Sequence, residues 1–216
     1  MARMVRFSIF GIPVTIQPFF WAAMGILGFL FNEHRPEQML VYVLLFMLAG
    51  FVSILIHELG HALTGRSFGA YTEIVLHGFG GFAIFPGGRF TRPQSFLLTL
   101  AGPGLQVVAA VAVLLLADRF GSGPNEFSKA LIRDFTFISI YWAILNLIPV
   151  IPLDGGQIMV SLLGPQRMRL ALMISIGVAV GGAILLLVLR HGPMMPIFLA
   201  SFGWQNYQML KQNHYR

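Results

Sequence analysis

The 216-residue chain contains no cysteine. That excludes a disulfide framework and a thiolate metal site. Charge is almost as scarce: 10% of the residues are Asp, Glu, Lys or Arg, against about 25% in a soluble domain. With 56% hydrophobic residues and a mean hydropathy of +0.77, the chain reads as neither a water-soluble globule nor a disordered segment. Its 14 Lys and Arg outnumber its 8 Asp and Glu, for a net charge of +6. The basic residues are scattered, with no clustered stripe, which argues against a nucleic-acid partner. In an apolar chain, scattered Arg between hydrophobic blocks marks cytoplasmic loops. What remains is a chain long enough for several bilayer spans of about 20 residues and short loops, with no room for a second soluble domain.

The hydropathy pattern predicts six spans: Phe19 to Phe31, Met39 to Leu63, Ser95 to Ala117, Leu131 to Ile148, Leu170 to Leu189 and Met194 to Leu210. The first is short. The last is the least apolar, because Gln205, Asn206 and Gln208 enter it, and an interfacial helix is the other reading. Before the first span, Phe7 to Ile16 alternates and is punctuated by Gly-Ile-Pro, as a short extended or hairpin element does. Between spans two and three, Glu73–Leu76 and Phe82–Phe85 are β-prone runs on either side of a Gly-rich turn. The expected fold is therefore an all-α polytopic membrane protein of about six transmembrane helices, with a short membrane-associated β-hairpin between spans two and three. With the N-terminus in the cytosol, that side receives nine basic residues (Arg3, Arg6, Arg66, Arg89, Arg92, Arg167, Arg169, Lys211, Arg216) and the other side five (Arg35, Arg119, Lys129, Arg133, Arg190). The bias predicts the N-terminus inside.

Against this background His57-Glu58-Leu59-Gly60-His61 stands out. Histidines at i and i+4 share one face of a helix, so both imidazoles can reach one ion. Zinc takes imidazole ligands, and its catalytic sites keep one position open for water. Glu58 beside the first His is placed to act as general base on that water. The bland alternative is a polar helix end emerging into water. Yet three ionisable groups closing the apolar run Val41 to Ile56 are expensive at membrane depth, which makes function the default. A third ligand is offered by Asn146-Leu-Ile-Pro-Val-Ile-Pro-Leu-Asp-Gly-Gly156. Pro149 and Pro152 break the helix and free Asp154 to point inward, while Gly155 and Gly156 allow a tight turn. An ordinary turn at a membrane exit is the alternative there. On the six-span scheme, His57, His61 and Asp154 all lie near inner span ends, at similar depth.

These two motifs, in this order and hydropathic setting, resemble those of the site-2 protease family of intramembrane zinc metalloproteases. Ala101-Gly-Pro-Gly-Leu-Gln106 is similar to that family's third motif, with Gln106 where the family typically has Asn. The resemblance covers about residues 45–160, a catalytic core inside a single membrane peptidase domain, 1–216. It implies one Zn²⁺ held by His57, His61 and Asp154, with Glu58 as catalytic base. It implies that Asn146 holds substrate or stabilises the oxyanion, although an interhelical hydrogen bond explains an Asn there nearly as well. The substrate class it implies is a single-span membrane protein, cleaved in or near its transmembrane segment in regulated intramembrane proteolysis. A prokaryotic cytoplasmic membrane, with the active site toward the cytosol, is the implied location.

The hairpin then acquires a role. A peptide bond in a helix is shielded, so the substrate must unwind, and an exposed strand edge can hold the unwound segment. Gly80, Gly81 and Phe82 are the candidates, against a loop that only packs. His77 beside the Gly turn reads as a packed or exposed side chain more readily than as a fourth ligand. His34, His191 and His214 read as solvated. The rival from another class is a divalent-metal transporter lined by intramembrane His and Asp. It explains those residues but neither Glu58 beside His57 nor the hairpin.

Overall fold

The computed structural model describes residues 4–31, 36–78, 80–190 and 192–212. Glu33, His34, His191 and His214, together with Arg3, Arg35 and Arg216 of the charge bias, lie outside the described residues. The chain forms two compact units, one of residues 1–89 and 101–143, the other of residues 90–100 and 144–216.

The first unit opens on a hairpin, β1 (Val5–Ile9) and β2 (Ile12–Ile16). Its two-residue turn has φ 52° at Phe10 and 73° at Gly11, both positive, as the tight turn that matches strand twist requires. The Arg66 guanidinium donates to the Phe10 carbonyl. Helices α1 (Pro18–Phe31) and α2 (Pro36–Ser67) follow, then β3 (Glu73–His77) and β4 (Gly80–Ile84). The two helices form the crossover that a parallel pairing of β2 and β3 needs. The result is one mixed sheet in the order β1-β2-β3-β4.

The expected hairpin after α2 is present as β3 and β4, but it belongs to a larger sheet. The Gly-rich segment is the far half of a four-stranded sheet whose near half is the N-terminal Gly-Ile-Pro element. Alternation explains the burial: Ile12, Val14 and Ile16 on β2, and Ile74 and Leu76 on β3, pack with Phe20, Met24, Ile54, Leu55, Leu59 and Ala62. Burying a side chain of this size stabilises by about 1.5–3 kcal/mol, so the sheet is anchored to the face of α2 that carries Glu58. A second cluster joins Phe46 and Ala49 of α2 to Phe135 and Ile138 of α4 (Glu126–Asn146).

Helix α3 (Arg92–Phe120) runs through both units. The second unit holds α5 (Asp154–Leu163), a single 3₁₀ turn at Pro165–Arg167, α6 (Met168–Val188) and α7 (Met194–Gln212). Its core is Ile151, Ala171 and Leu172, with Met159, Leu163 and Leu210 packed around them. Helix α5 was not anticipated; its ten residues are too few to give a hydropathy signal of their own.

Among the described residues three helical segments are long and apolar enough to cross a membrane: Glu37–Ser67, Arg92–Phe120 and Pro165–Val188. The expected spans at α1, α4 and α7 are helices, but α1 has only 14 residues. Helix α4 carries Glu126, Lys129, Arg133 and Asp134, and α7 carries Gln205, Asn206, Gln208 and Lys211, which lower their hydropathy. The long helices bear outward apolar stripes: Leu40, Leu44 and Leu48, one turn apart on α2, are 70%, 53% and 47% exposed. A stripe of that kind suits contact with lipid.

Candidate metal centre

Ser53, His57 and His61 stand four residues apart on one face of α2. All three are buried, His57 to 3% exposure and His61 to 7%. The two imidazoles meet edge to face at 80°. Their Nε2 atoms lie 3.1 Å apart. A tetrahedral zinc ion bound at about 2.0–2.1 Å by each nitrogen would hold the pair at about 3.3 Å. The pair therefore fits the ion its spacing suggested. The other nitrogen of His57, Nδ1, lies 3.0 Å from Oε1 of Gln106 on α3. Gln106 is fully buried, and its Nε2 donates to Ser53 Oγ at 2.8 Å. Ser53 Oγ in turn lies 2.8 Å from Ser139 Oγ on α4.

Two glycines let α2 and α3 approach this closely. A Cβ on Gly60 would fall 2.3 Å from the Ala101 carbonyl oxygen, and one on Gly102 would fall 2.2 Å from His61 Nε2. Thus the Ala-Gly-Pro motif of α3 seats His61, and three residues beyond Pro103 Gln106 meets His57. Pro103 sits inside α3.

Glu58 is 3% exposed. It lies under β4: a Cβ on Gly81 would be 2.7 Å from its Cγ and 2.8 Å from its Oε1. Gly80 has φ +116°, and a Cβ there would meet the Trp142 ring at 2.6 Å. Glycine is therefore required at both positions, one by conformation and contact, the other by contact alone. Phe82 is 43% exposed. Strand β4 pairs with β3 on one side and forms the edge of the sheet on the other. His77 pairs with Gly80 in the register, and its ring lies 5.2 Å from that of Phe82. Burial pushes its imidazole below the ordinary histidine range.

Asp154 and Asn146 belong to the second unit. Asn146 is the last residue of α4, and Asp154 the first of α5, where a carboxylate suits the positive end of the helix dipole. The Ile151–Pro152 peptide between them is cis. The glycines after Asp154 press on the preceding loop: a Cβ on Gly155 would lie 2.2 Å from the Leu147 carbonyl oxygen, and one on Gly156 2.5 Å from the Ile151 nitrogen. Asn206 of α7 donates to the Ile151 carbonyl at 2.6 Å, and Ile151 N donates to Ser175 Oγ of α6 at 3.2 Å. These two polar side chains fix the loop that leads into Asp154.

Within the first unit, then, the structure brings His57 to His61 and Glu58 to Gly81. Ser53, Ser139, Ser175 and Asn206 were passed over in the sequence as site residues. Only Ser53 carried a usable signal, standing one helical turn before His57 on the same face.

A membrane-type helical chain with paired imidazoles and a buried carboxylate beside them is the class that fold and site define. The profile of Peptidase family M50 matches residues 128–189, the stretch that contains Asp154. A putative zinc metalloprotease from Synechocystis sp. is 27% identical over 218 residues, covering 92% of this chain and 57% of that protein. A zinc metalloprotease from Methanocaldococcus jannaschii is 26% identical over 162 residues, 74% of this chain and 45% of that protein. Stage IV sporulation protein FB of Bacillus subtilis is 27% identical over 159 residues, 72% and 49% of the respective chains. The chain thus spans about half the length of these curated relatives. The structure of the site-2 protease from Methanocaldococcus jannaschii superposes with a TM-score of 0.67 at 21% identity, covering 96% of this chain and 95% of that one. The chain is thus similar to peptidase family M50 over residues 128–189 and shares the fold of that site-2 protease.

Proposed function

We propose that this chain is an intramembrane zinc metalloprotease that hydrolyses a peptide bond in or near the transmembrane segment of a single-span membrane protein. The observation that carries the proposal is the buried pair of facing Nε2 atoms of His57 and His61, with Glu58 beside them under a strand edge. Asp154 supplies the third ligand. The donor types support this: two imidazoles and one carboxylate are ligands that zinc takes in catalytic sites.

When bound, zinc supplies Lewis-acid polarisation of the scissile carbonyl and makes a water acidic enough to lose a proton near neutral pH. The chain's residues do the rest. Glu58 takes that water's proton and later passes it to the leaving amine. The outer edge of β4, with Gly80, Gly81 and Phe82, receives the unwound substrate as an added strand. Gly81, lacking a side chain, lets β4 pack directly against Glu58. Asn146 holds the substrate backbone or the oxyanion. Six crossings, with the N-terminus and the site toward the cytosol of a prokaryotic membrane, agree with the excess of basic residues on that side. The transporter reading gains no support from the relatives, two of which are named as zinc metalloproteases.

Asp154→Ala tests the ligand set. It is expected to weaken zinc binding, measured by chelator competition on purified protein, by more than about 100-fold, beyond the 10–100-fold typical of outer partners of a ligand. Wild-type affinity in that variant would remove Asp154 from the site.

A further inference from the structure

A buried polar chain crosses three helices of the first unit and ends on His57. It runs Ser139 Oγ (α4), Ser53 Oγ (α2), Gln106 Nε2 and Oε1 (α3), His57 Nδ1 (α2), with successive separations of 2.8, 2.8 and 3.0 Å. Ser53, Gln106 and Ser139 are each 0% exposed. Polar groups at that depth are expensive unless paired, and this chain pairs them with one another.

The chain also has a direction. Gln106 Nε2 sits 3.4 Å from the Ser53 carbonyl oxygen as well as 2.8 Å from its hydroxyl. A carbonyl oxygen only accepts, so the amide nitrogen must be the end that faces Ser53. The amide oxygen therefore faces His57. An amide oxygen also only accepts, so Nδ1 of His57 carries the hydrogen. In a neutral imidazole the hydrogen on one nitrogen leaves the lone pair on the other. That other nitrogen is Nε2, the atom directed at His61 Nε2.

We infer that Gln106 is a positioning residue for His57: anchored by Ser53 and Ser139, its amide oxygen fixes the tautomer and ring orientation that present Nε2 as the ligand atom. This rests on the proposed zinc site and deepens it. It also gives a physical meaning to Gln106 standing where the family typically has Asn. The longer side chain spans from His57 back to Ser53, one turn earlier on the same helix, and engages both. Ser53 and Ser139 act at one remove, by holding the amide so that it does not flip.

The test uses the full-length protein and two variants. Gln106→Met keeps the length and bulk of the side chain but removes its amide donor and acceptor. Gln106→Glu restores an acceptor facing His57. Zinc affinity is measured by chelator competition, and the tautomer of His57 by ¹⁵N NMR of histidine-labelled, metal-free protein. Thermal unfolding is followed in parallel, so that a misfolded variant is recognised. Gln106→Met is expected to lose about 10–100-fold in zinc affinity and to show a mixture of His57 tautomers, while Gln106→Glu retains most of the affinity and the Nδ1-protonated form. Wild-type zinc affinity and a wild-type tautomer in folded Gln106→Met would overturn the inference. If the wild-type protein binds no zinc, the proposed site fails, and the tautomer measurement still decides the role of Gln106: a shift on removing the amide supports it, and no shift contradicts it. If Gln106→Met does not fold, Ser53→Ala takes its place, with the same readouts, a smaller loss expected and an unchanged tautomer contradicting the inference.

Discussion

Glu58→Gln is expected to lower cleavage of a membrane-embedded substrate by about 10²–10⁴-fold, the range for losing a general base, while zinc stays bound. The two halves of this result have separate origins. Glu58 is one residue from His57 in sequence and so points about 100° away around the helix. Its carboxylate lies under Gly81 of β4, while the Nε2 atoms of His57 and His61 face each other. Replacing the carboxylate by an amide of the same shape removes the basic oxygen and leaves the imidazole pair and the packing against β4 intact. Equal loss of zinc and activity would make Glu58 a ligand. Full activity would dismiss it as the base.

Gly102→Ala is expected to cost more than about 100-fold in activity, since an ångström of misplacement at a reacting centre is worth that much, and to release zinc while the protein stays folded. The added methyl would lie 2.2 Å from His61 Nε2 and 2.3 Å from Cε1. The group it meets is the far end of a side chain, which yields by rotating away from His57. Gly60→Ala provides the contrast. Its methyl would lie 2.3 Å from the Ala101 carbonyl oxygen, so backbone would have to move and α2 separate from α3. That variant is expected to lose folding stability in thermal unfolding, where Gly102→Ala holds it. Zinc binding by Gly102→Ala at wild-type strength would mean that His61 is not a ligand in the observed rotamer.

The site was more legible in the sequence than the fold. His57, Glu58 and His61 are readable because helical spacing alone puts two imidazoles on one face, and because charge is rare enough in an apolar chain for each instance to need a reason. The close approach of Gly155 and Gly156 was readable for a similar reason, since consecutive glycines after a carboxylate point to backbone contact. The sheet was only half legible. Alternation in Phe7 to Ile16 and in the Gly-rich segment announces strands and their buried face, but a period of two does not name the neighbouring strand. The β2–β3 pairing joins segments separated by two helices, and nothing local encodes that. Helix α5 escaped because its ten residues follow a Pro-rich turn and begin at the very Asp that drew attention. The Gln106 network escaped because its members come from three helices and have no common spacing; the sequence shows a Gln in an apolar run and leaves its partners unstated.

The central claim is zinc-dependent proteolysis within a membrane. The most direct measurement reconstitutes the full-length protein in liposomes with a labelled single-span substrate, strips the metal with a chelator, restores zinc, and determines product masses at each stage. The account predicts no product from the stripped protein, recovery on adding zinc in about one equivalent per chain, and a cut in or beside the substrate's transmembrane segment. Cleavage that survives complete metal removal, or substrate left intact by the zinc-loaded protein while zinc itself crosses the bilayer, would contradict it.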